Sequence, residues 1–161
     1  MSSFTEEIRR EVRGADIWIW LSPENWLAGA STLNSQGFKR AEWLTATHLD
    51  QSQFLVVLCV ANETSTEKYF LLTEVKSEIA SLSSIYPNLD FHEREVRQLL
   101  GLSFSGLTNN TPAINFEFSG YPLRRDFALQ PRVTQEWPGQ VDPEKTTKRR
   151  LPPGVNQDWV S

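Results

Sequence analysis

Four stretches of the chain have the apolar content and the short length of β-strands. Residues 17–22 (IWIWLS) and 53–62 (QFLVVLCVAN) are nearly continuous apolar runs, whereas residues 38–50 alternate apolar and polar positions at their centre. Residues 69–75 (YFLLTEV) follow after the polar turn ETSTEK. The pattern therefore predicts four strands, the last two of which form a hairpin over residues 53–75.

Three further stretches have the spacing and the end signals of helices. Residues 5–13 lie between Thr5, a good N-cap residue, and Gly14, a good stop signal. Residues 23–37 begin with proline and end with glycine, and residues 77–87 repeat apolar residues at every third position before a closing proline. We expect a helix over each of the three.

A fourth helix is predicted over residues 91–100 (FHEREVRQLL). Its valine and two leucines recur at i, i+3 and i+4, and Gly101 suits the position just after a helix end. Asp90 and Glu93 match a D-x-x-E capping pattern, and Glu93 and Arg97 are spaced for an i, i+4 ion pair. The sequence thus predicts a short amphipathic helix with a strongly charged polar face.

The order of these elements indicates an α+β fold: a small, mostly antiparallel sheet with helices packed on one side, followed by an extended C-terminal arm. Residues 1–105 are expected to form the α+β domain. Residues 106–161 contain most of the nine prolines and no clear periodicity, so we expect an extended arm that wraps a partner subunit. Trp137 and Trp159 in this polar arm need a surface to bury against.

Composition argues against several classes of function. A formal net charge of −4 gives no general attraction to nucleic acid. Cys59 is the only cysteine and is expected to be buried; together with two histidines it cannot build a Cys/His zinc site or an iron–sulfur cluster within this chain. The N-terminus is charged, unlike a secretory signal, and the longest apolar run is far shorter than the roughly 20 residues that span a bilayer as a helix. Membrane association is therefore expected only through partners.

The charged helix has two interpretations. In one, Glu93 and Glu95 act as a general acid/base pair with His92 as a proton carrier, but residues at i and i+2 point to different sides of a helix. In the other, a short charged helix followed by an extended arm forms a docking surface. The chain has neither a Gly-rich nucleotide-binding motif nor a GxSxG elbow that would favour an enzyme.

The segment YPLRRDF, residues 121–127, places Arg124, Arg125 and Asp126 in a row. Arginine presents a planar fork that pairs with carboxylates. Two partners remain open for these arginines: the carboxylates of the charged helix in the same chain, or a carboxylate of another protein in a complex.

Three motifs together resemble one known family. They are E-R-E at residues 93–95, L-G-L-x-F-x-G at residues 100–106 and Y-P-L-R-R-D-F at residues 121–127. In this order they are similar to the small hydrophilic C-type subunit of NADH-quinone oxidoreductase (respiratory complex I) and to its relatives in membrane-bound nickel–iron hydrogenases. The resemblance covers about residues 26–130.

Two departures from the family pattern indicate a divergent member. Gln98 stands where the family usually has an aspartate, and residues 106–110 replace the usual G-H-P-D-L-R-R. A smaller departure is Arg125, where the family usually has lysine.

The resemblance implies a structural subunit without a cofactor, in the hydrophilic arm of a complex that transfers electrons from NADH to quinone. Iron–sulfur clusters and quinone, or a nickel–iron site, are expected in partner subunits. The expected partners are the large catalytic subunit and the iron–sulfur subunits, on the cytoplasmic side of the cell membrane, where the chain is peripheral. The residues expected to form the subunit interface or to support it are Phe91, Glu93, Arg94, Glu95, Gly101, Tyr121, Pro122, Arg124, Arg125 and Asp126.

Three other functions stay open at the level of sequence. One is the equivalent subunit of a membrane-bound hydrogenase-type complex, and another is an unrelated protein-interaction module. The third is a stand-alone enzyme that uses His92 with Glu93 or Glu95.

Overall fold

The structure is a computed structural model that describes residues 7–50, 53–62, 67–115 and 119–128. The helices and strands of these residues are β1 (Glu7–Arg13), β2 (Asp16–Leu21), a 3-10 turn (Pro23–Asn25), α1 (Trp26–Ser35), β3 (Arg40–His48), β4 (Phe54–Ala61), β5 (Lys68–Val75), β6 (Glu78–Ala80), α2 (Leu89–Leu100) and β7 (Ser103–Ser105). Among them, neither helix is long and apolar enough to cross a membrane.

The main sheet has the strand order β1-β2-β5-β4-β3. Strands β2 and β5 run parallel, and the other neighbours run antiparallel, including the hairpin of β4 and β5. Strands β6 and β7 form a separate parallel pair. The α+β fold, its mostly antiparallel sheet and its four predicted strands are confirmed, as are α1 and α2.

The main core lies between one face of the sheet and the two helices. Helix α1 contributes Trp26, Ala30 and Leu33, and α2 contributes Leu89, Val96 and Leu100, to a single cluster with the inward residues of β2, β3, β4 and β5. Because the side chains of a strand alternate between faces, β4 supplies every second residue to this core, whereas β3 shifts its register between Ala41 and Trp43. Both described helices therefore pack on the same side, as predicted.

The second face of the sheet is also largely apolar. Trp18 stacks on Phe70 with ring centroids 4.2 Å apart, and Cys59 and Leu72 are buried beside them. Burial raises the pKa of the Cys59 thiol to about 11, so the thiol stays protonated near neutral pH. The predicted burial of this cysteine is confirmed.

The predicted helix over residues 5–13 is wrong, because residues 7–13 form strand β1, while residues 5 and 6 lie outside the described residues. Ile8 and Val12 are four positions apart, which fits a strand period of two as well as a helical period of 3.6. Their spacing could not decide between the two structures.

Contacts with β2 favour the strand over residues 7–13. The guanidinium groups of Arg9 and Arg13 each lie 4.9 Å from a tryptophan ring centroid, above Trp20 and Trp18 respectively. Glu11 lies between the two arginines and bonds to both. Only an extended chain places residues 9, 11 and 13 on one face, so tertiary contacts overrode helix propensity here.

The predicted helix over residues 77–87 is also wrong. Strand β6 occupies its first part, where Ile79 pairs with Phe104 of β7, and only one helical turn follows, from Leu82 to Tyr86. The backbone N–H of Leu82 donates to the Glu93 carboxylate instead of to a helical carbonyl. A partner distant in sequence therefore fixes a conformation that the local spacing did not indicate.

Replacing Val12 with alanine tests the strand assignment. In a strand, Val12→Ala is expected to lower the free energy of unfolding by about 0.5–1 kcal/mol, because the β-branched side chain is lost opposite Ile17. In a helix the same change would raise it by about 0.5 kcal/mol. Urea unfolding measures the sign, and Val12→Thr, which keeps the branch, is the control expected to stay near wild type.

Candidate functional site: helix α2 and the segments that fold over it

Helix α2 carries the E-R-E motif, and three parts of the helix make different contacts. Its apolar residues are buried in the main core, and its C-terminal carbonyls meet residues 119–128, here called the strap. Residues 107–115, here called the α2 loop, cover part of its remaining side. The positions of the motif residues follow from these three contacts.

Glu93 is fully buried and does not act as a helix cap. Its carboxylate accepts hydrogen bonds from the Ser81 hydroxyl at 2.5 Å and from the Leu82 backbone N–H at 2.6 Å. Burial raises the pKa of the Glu93 carboxyl above its ordinary value, and these two hydrogen bonds offset only part of that effect. Glu93 thus joins α2 to the turn after β6.

The expected capping box and the expected Glu93–Arg97 pair are both wrong. The helix begins at Leu89, and the residue at its N-cap, Asn88, donates its side chain to the Ala41 carbonyl at 2.7 Å. Arg97 binds the Asn110 side-chain oxygen at 2.8 Å. The inward direction of Glu93 leaves no geometry for either predicted contact.

Arg94 holds the α2 loop against the helix. Its Nε lies 2.9 Å from Asp90, and its Nη1 reaches the Thr111 side-chain and backbone oxygens at 3.2 and 3.3 Å and the Pro112 carbonyl at 3.3 Å. The guanidinium also lies 5.6 Å from the Phe91 ring centroid. One arginine therefore binds a carboxylate, two loop residues and an aromatic ring.

Gln98 provides the second attachment of the α2 loop. Its side-chain N–H donates to the Ile114 carbonyl at 3.0 Å, and its side-chain oxygen accepts from the Ile114 N–H at 2.9 Å. An ionised aspartate, the usual family residue here, only accepts hydrogen bonds. Gln98 was identified from sequence only as a departure, and its role comes from this paired contact.

The strap is attached to the C-terminal end of α2 through Arg124. Its Nε donates to the Leu100 carbonyl at 2.6 Å, one of the helix carbonyls without an intrahelical partner. The guanidinium lies 4.4 Å from the Tyr121 ring centroid and 5.4 Å from that of Phe54. The Leu123 N–H adds a bond to the Leu99 carbonyl at 3.2 Å.

Gly101 ends α2 with a left-handed φ of 76°, as the sequence predicts. A Cβ at this position would lie 2.6 Å from the Tyr121 ring. Two features therefore require glycine at this position: the left-handed backbone conformation and the close approach of the strap.

His48 receives the far end of the strap. The Arg125 backbone N–H donates to His48 Nδ1 at 3.1 Å, the Arg125 side chain lies 3.4 Å from Asp50, and Asp126 lies 3.9 Å from His48 Nδ1. Neither strap arginine contacts Glu93 or Glu95. Of the two partners considered for them, the carboxylates of α2 are not used.

The remaining charged candidates of α2 are not brought together. Glu95 forms no hydrogen bond or ion pair with the described residues, and His92 has a ring contact only with Phe91. The described residues also contain no group of three or more His, Cys, Asp or Glu side chains placed to hold a metal ion. Glu93 and Glu95 therefore do not form an acid/base pair.

Exposed apolar side chains lie on α2 and on the strap. Phe91 is 49% exposed, and Tyr121 and Leu123 are 41% and 59% exposed. Glu93, Arg94 and Arg124 thus bind within the chain, while aromatic and aliphatic groups at both ends of α2 remain accessible.

The family described as "Respiratory-chain NADH dehydrogenase, 30 Kd subunit" matches residues 19–133, a range that includes α2, the α2 loop and the strap. The chain belongs to this family. The resemblance inferred from the three motifs is therefore confirmed, and the matched range agrees with the stretch in which those motifs lie.

Proteins named as the C subunit of NADH-quinone oxidoreductase are similar to the chain at low identity. The protein of Moorella thermoacetica is 28% identical over 143 residues, which cover 81% of this chain and 97% of that protein. The protein of Bartonella tribocorum is 36% identical over 58 residues, which cover 35% of this chain and only 29% of that protein. The chain thus matches well under half the length of the latter relative.

Two solved structures share the fold. A trypsin-resistant fragment of Nqo5 matches with a TM-score of 0.56 at 18% identity, covering 63% of this chain and 88% of the fragment. A chain of the membrane-bound sulfane sulfur reductase, an archaeal respiratory membrane complex, matches with a TM-score of 0.66 at 17% identity, covering 80% and 87%. These likenesses support the fold of the described residues.

Replacing Gly101 with alanine tests the contact between α2 and the strap. Gly14→Ala is the matched control, because Gly14 also has a left-handed φ, of 65°, but no atom lies within 4 Å of its added Cβ. Gly14→Ala is expected to cost about 1 kcal/mol of unfolding free energy for conformation alone. Gly101→Ala is expected to cost about 1–2 kcal/mol more, because Tyr121 must move.

A Tyr121→Ala background separates the two contributions to that cost. There, the additional cost of Gly101→Ala is expected to fall to that of Gly14→Ala. Equal costs for both glycine changes in the wild-type background would show that Tyr121 does not constrain position 101.

Glu93 predicts an unusual dependence of stability on pH. Because its folded-state pKa is raised from 4.5, the folded chain binds more protons than the unfolded chain between the two values, so this residue's contribution falls as pH rises through that window. Glu93→Gln resembles the protonated acid and is expected to gain stability relative to wild type as pH rises above 4.5. Glu93→Ala is expected to lose about 1–3 kcal/mol by leaving buried donors unpaired.

Urea unfolding of the wild type and of Glu93→Gln across pH measures the difference in their unfolding free energies. Glu95→Gln is the control, and its difference from wild type is expected to lack the rise. A Glu93→Gln difference that stays flat with pH would mean that the buried carboxyl does not take up a proton on folding.

Proposed function

We propose that this chain is a structural subunit, without a cofactor of its own, in the hydrophilic arm of a complex of the NADH-quinone oxidoreductase type. There it supports electron transfer from NADH to quinone by holding the subunits that carry the cofactors. The observation that carries this proposal is the family match over residues 19–133, together with relatives named as the C subunit of that enzyme.

Positioning is a function that a rigid chain without a cofactor can supply. Electron transfer between cofactors falls steeply with distance, so small displacements between subunits slow it. In this chain, Arg94, Gln98 and Arg124 each fix a segment outside the sheet to α2 through backbone carbonyls. These contacts suit a surface that must keep its shape when another protein binds.

The proposed docking surface consists of α2, the α2 loop and the strap. It presents Phe91, Tyr121 and Leu123, and aromatic and aliphatic groups of this kind supply much of the binding energy in protein interfaces. The occupant we propose is the large catalytic subunit, with iron–sulfur subunits nearby. The chain would lie peripherally on the cytoplasmic side of the membrane, attached through these partners. Of the arm predicted over residues 106–161, residues 129–161 lie outside the described residues, and we propose that they also engage a partner.

An enzymatic role for the charged residues of α2 has less support. The Glu93 carboxylate is fully buried and bonded to Ser81 and Leu82, so it cannot reach a substrate from outside. His92 and Glu95 share no hydrogen bond with it. The arrangement favours a structural role for this acid.

Truncation of the exposed apolar residues tests the docking surface. Phe91→Ala combined with Leu123→Ala is expected to reduce recovery of the large subunit about tenfold in pull-downs from mildly solubilised membranes, because interface anchors carry a large share of binding energy. The large subunit is identified and quantified by mass spectrometry. Leu27→Ala on α1 is the matched control, since Leu27 is 42% exposed and lines a surface cavity with Ser84 and Ile85, outside the proposed docking surface.

The isolated Phe91/Leu123 and Leu27 variants are first checked by urea unfolding. Their unfolding free energies are expected to lie within about 1 kcal/mol of wild type, because the changes are at exposed positions. Arg94→Ala is expected to leave the sheet folded but to weaken assembly by releasing the α2 loop. Unchanged recovery of the large subunit with the Phe91/Leu123 variant would refute this surface as its docking site.

Metal analysis of the same pull-down distinguishes the type of complex. Iron without nickel, together with bound quinone, is expected for the proposed complex. Nickel in stoichiometric amount would indicate the hydrogenase-type alternative, and a purified chain with no iron-containing partner would support a separate interaction module.

A further inference from the structure

Within the described residues, His48 is the one side chain that binds the strap through a nitrogen whose protonation can change. It stands at the end of β3, is 5% exposed, and accepts the Arg125 backbone N–H at Nδ1. Accepting this bond requires an unprotonated Nδ1, so the ring is neutral with its proton on Nε2. Nε2 is buried and has no hydrogen-bond partner among the described residues.

Protonation of His48 is incompatible with the closed strap for two reasons. A proton on Nδ1 would face the Arg125 N–H, so that two donors would point at each other. The imidazolium would also hold its charge at a buried site where Nε2–H has no acceptor, which is unfavourable unless the ring gains access to water. Movement of the strap away from the ring relieves both conflicts.

The charged groups around His48 come from three elements. From the strap, Asp126 lies 3.9 Å from Nδ1, beyond hydrogen-bond distance, and its side chain is 67% exposed, so in the closed strap it does not replace the lost hydrogen bond. The Arg124 guanidinium, also from the strap, lies over the neighbouring Phe54 ring. From the β3–β4 turn, Asp50 is paired with Arg125. Helix α2 also packs on β3, but its Glu95 and Arg97 form no hydrogen bond or ion pair with His48.

We propose that His48 is a pH-sensitive latch for the strap: neutral, it holds the Arg125 backbone, and protonated, it releases the strap from the end of β3. Because opening takes up a proton, the open fraction rises as pH falls.

The effect of the latch on assembly rests on the proposed function. Tyr121 and Leu123 belong to the strap, so an open strap would disturb the docking surface for the large subunit. The latch itself is a property of the isolated chain and is tested there, which keeps its failure distinguishable from failure of the docking proposal.

Nuclear magnetic resonance of the full-length, isotopically labelled chain tests the latch. The pH titration of the His48 Cε1–H resonance is compared with the hydrogen-exchange protection of the Arg125 amide, corrected for the intrinsic pH dependence of exchange. Protection is expected to fall as pH is lowered, by at most about tenfold per pH unit, because opening takes up one proton. The fall is expected to begin at a higher pH than the shift of the His48 resonance, because the sparsely populated open form takes up the proton first.

Amides of β4 and β5 report whether the opening is local. They are expected to stay protected over the same range. Loss of protection in β4 and β5 together with Arg125 would mean global unfolding and would overturn the latch, as would an Arg125 amide that stays protected while His48 titrates.

Two histidine variants isolate the group responsible. His48→Asn places a non-titrating side-chain oxygen near the position of Nδ1, so Arg125 protection is expected to become independent of pH. His92→Asn is the matched control, because the chain's second histidine does not contact the strap, and the wild-type profile is expected to persist. If His48→Asn does not fold, the wild-type comparison above decides the question alone.

Discussion

The unsatisfied carbonyls at the C-terminal end of α2 are the constraint on which the rest of the site depends. A helix ends with carbonyl groups that have no intrahelical donor, and here Leu99 and Leu100 receive donors from the strap. The left-handed Gly101 turns the chain away and leaves room for Tyr121 to cover the helix end. The family motif around the glycine and the Y-P-L-R-R-D-F motif are thus two halves of one contact.

Strands were predictable where tertiary structure and local pattern agree. The apolar runs of β2, β4 and β5 are too short for buried helices and rich in β-branched and aromatic residues, so only one structure fitted them. The helix predictions for residues 7–13 and 77–87 failed because apolar residues spaced at i, i+3 or i+4 do not exclude a strand or a turn. Their structure is decided by Trp18, Trp20 and Glu93, which lie elsewhere in the sequence.

The site was predicted as a set of residues but not as a set of contacts. Sequence reasoning paired charged groups with each other, whereas Arg124 binds a carbonyl and two rings, and Glu93 binds a hydroxyl and a backbone N–H. Backbone groups are present at every position, so no pattern of side chains marks which of them are free. For the same reason His48, whose partner is the Arg125 backbone, gave no signal in the sequence.

Two of the three departures from the family pattern belong to one structural unit. The altered residues 106–110 include Asn109 and Asn110, which bind Asp90 and Arg97 of α2, and the altered Gln98 binds Ile114 in the same loop. A helix surface and the loop that covers it must change together, because an unmatched change leaves polar groups without partners. Sequence divergence at this surface is therefore compatible with an unchanged core, and differences between family members are expected to concentrate in the α2 loop.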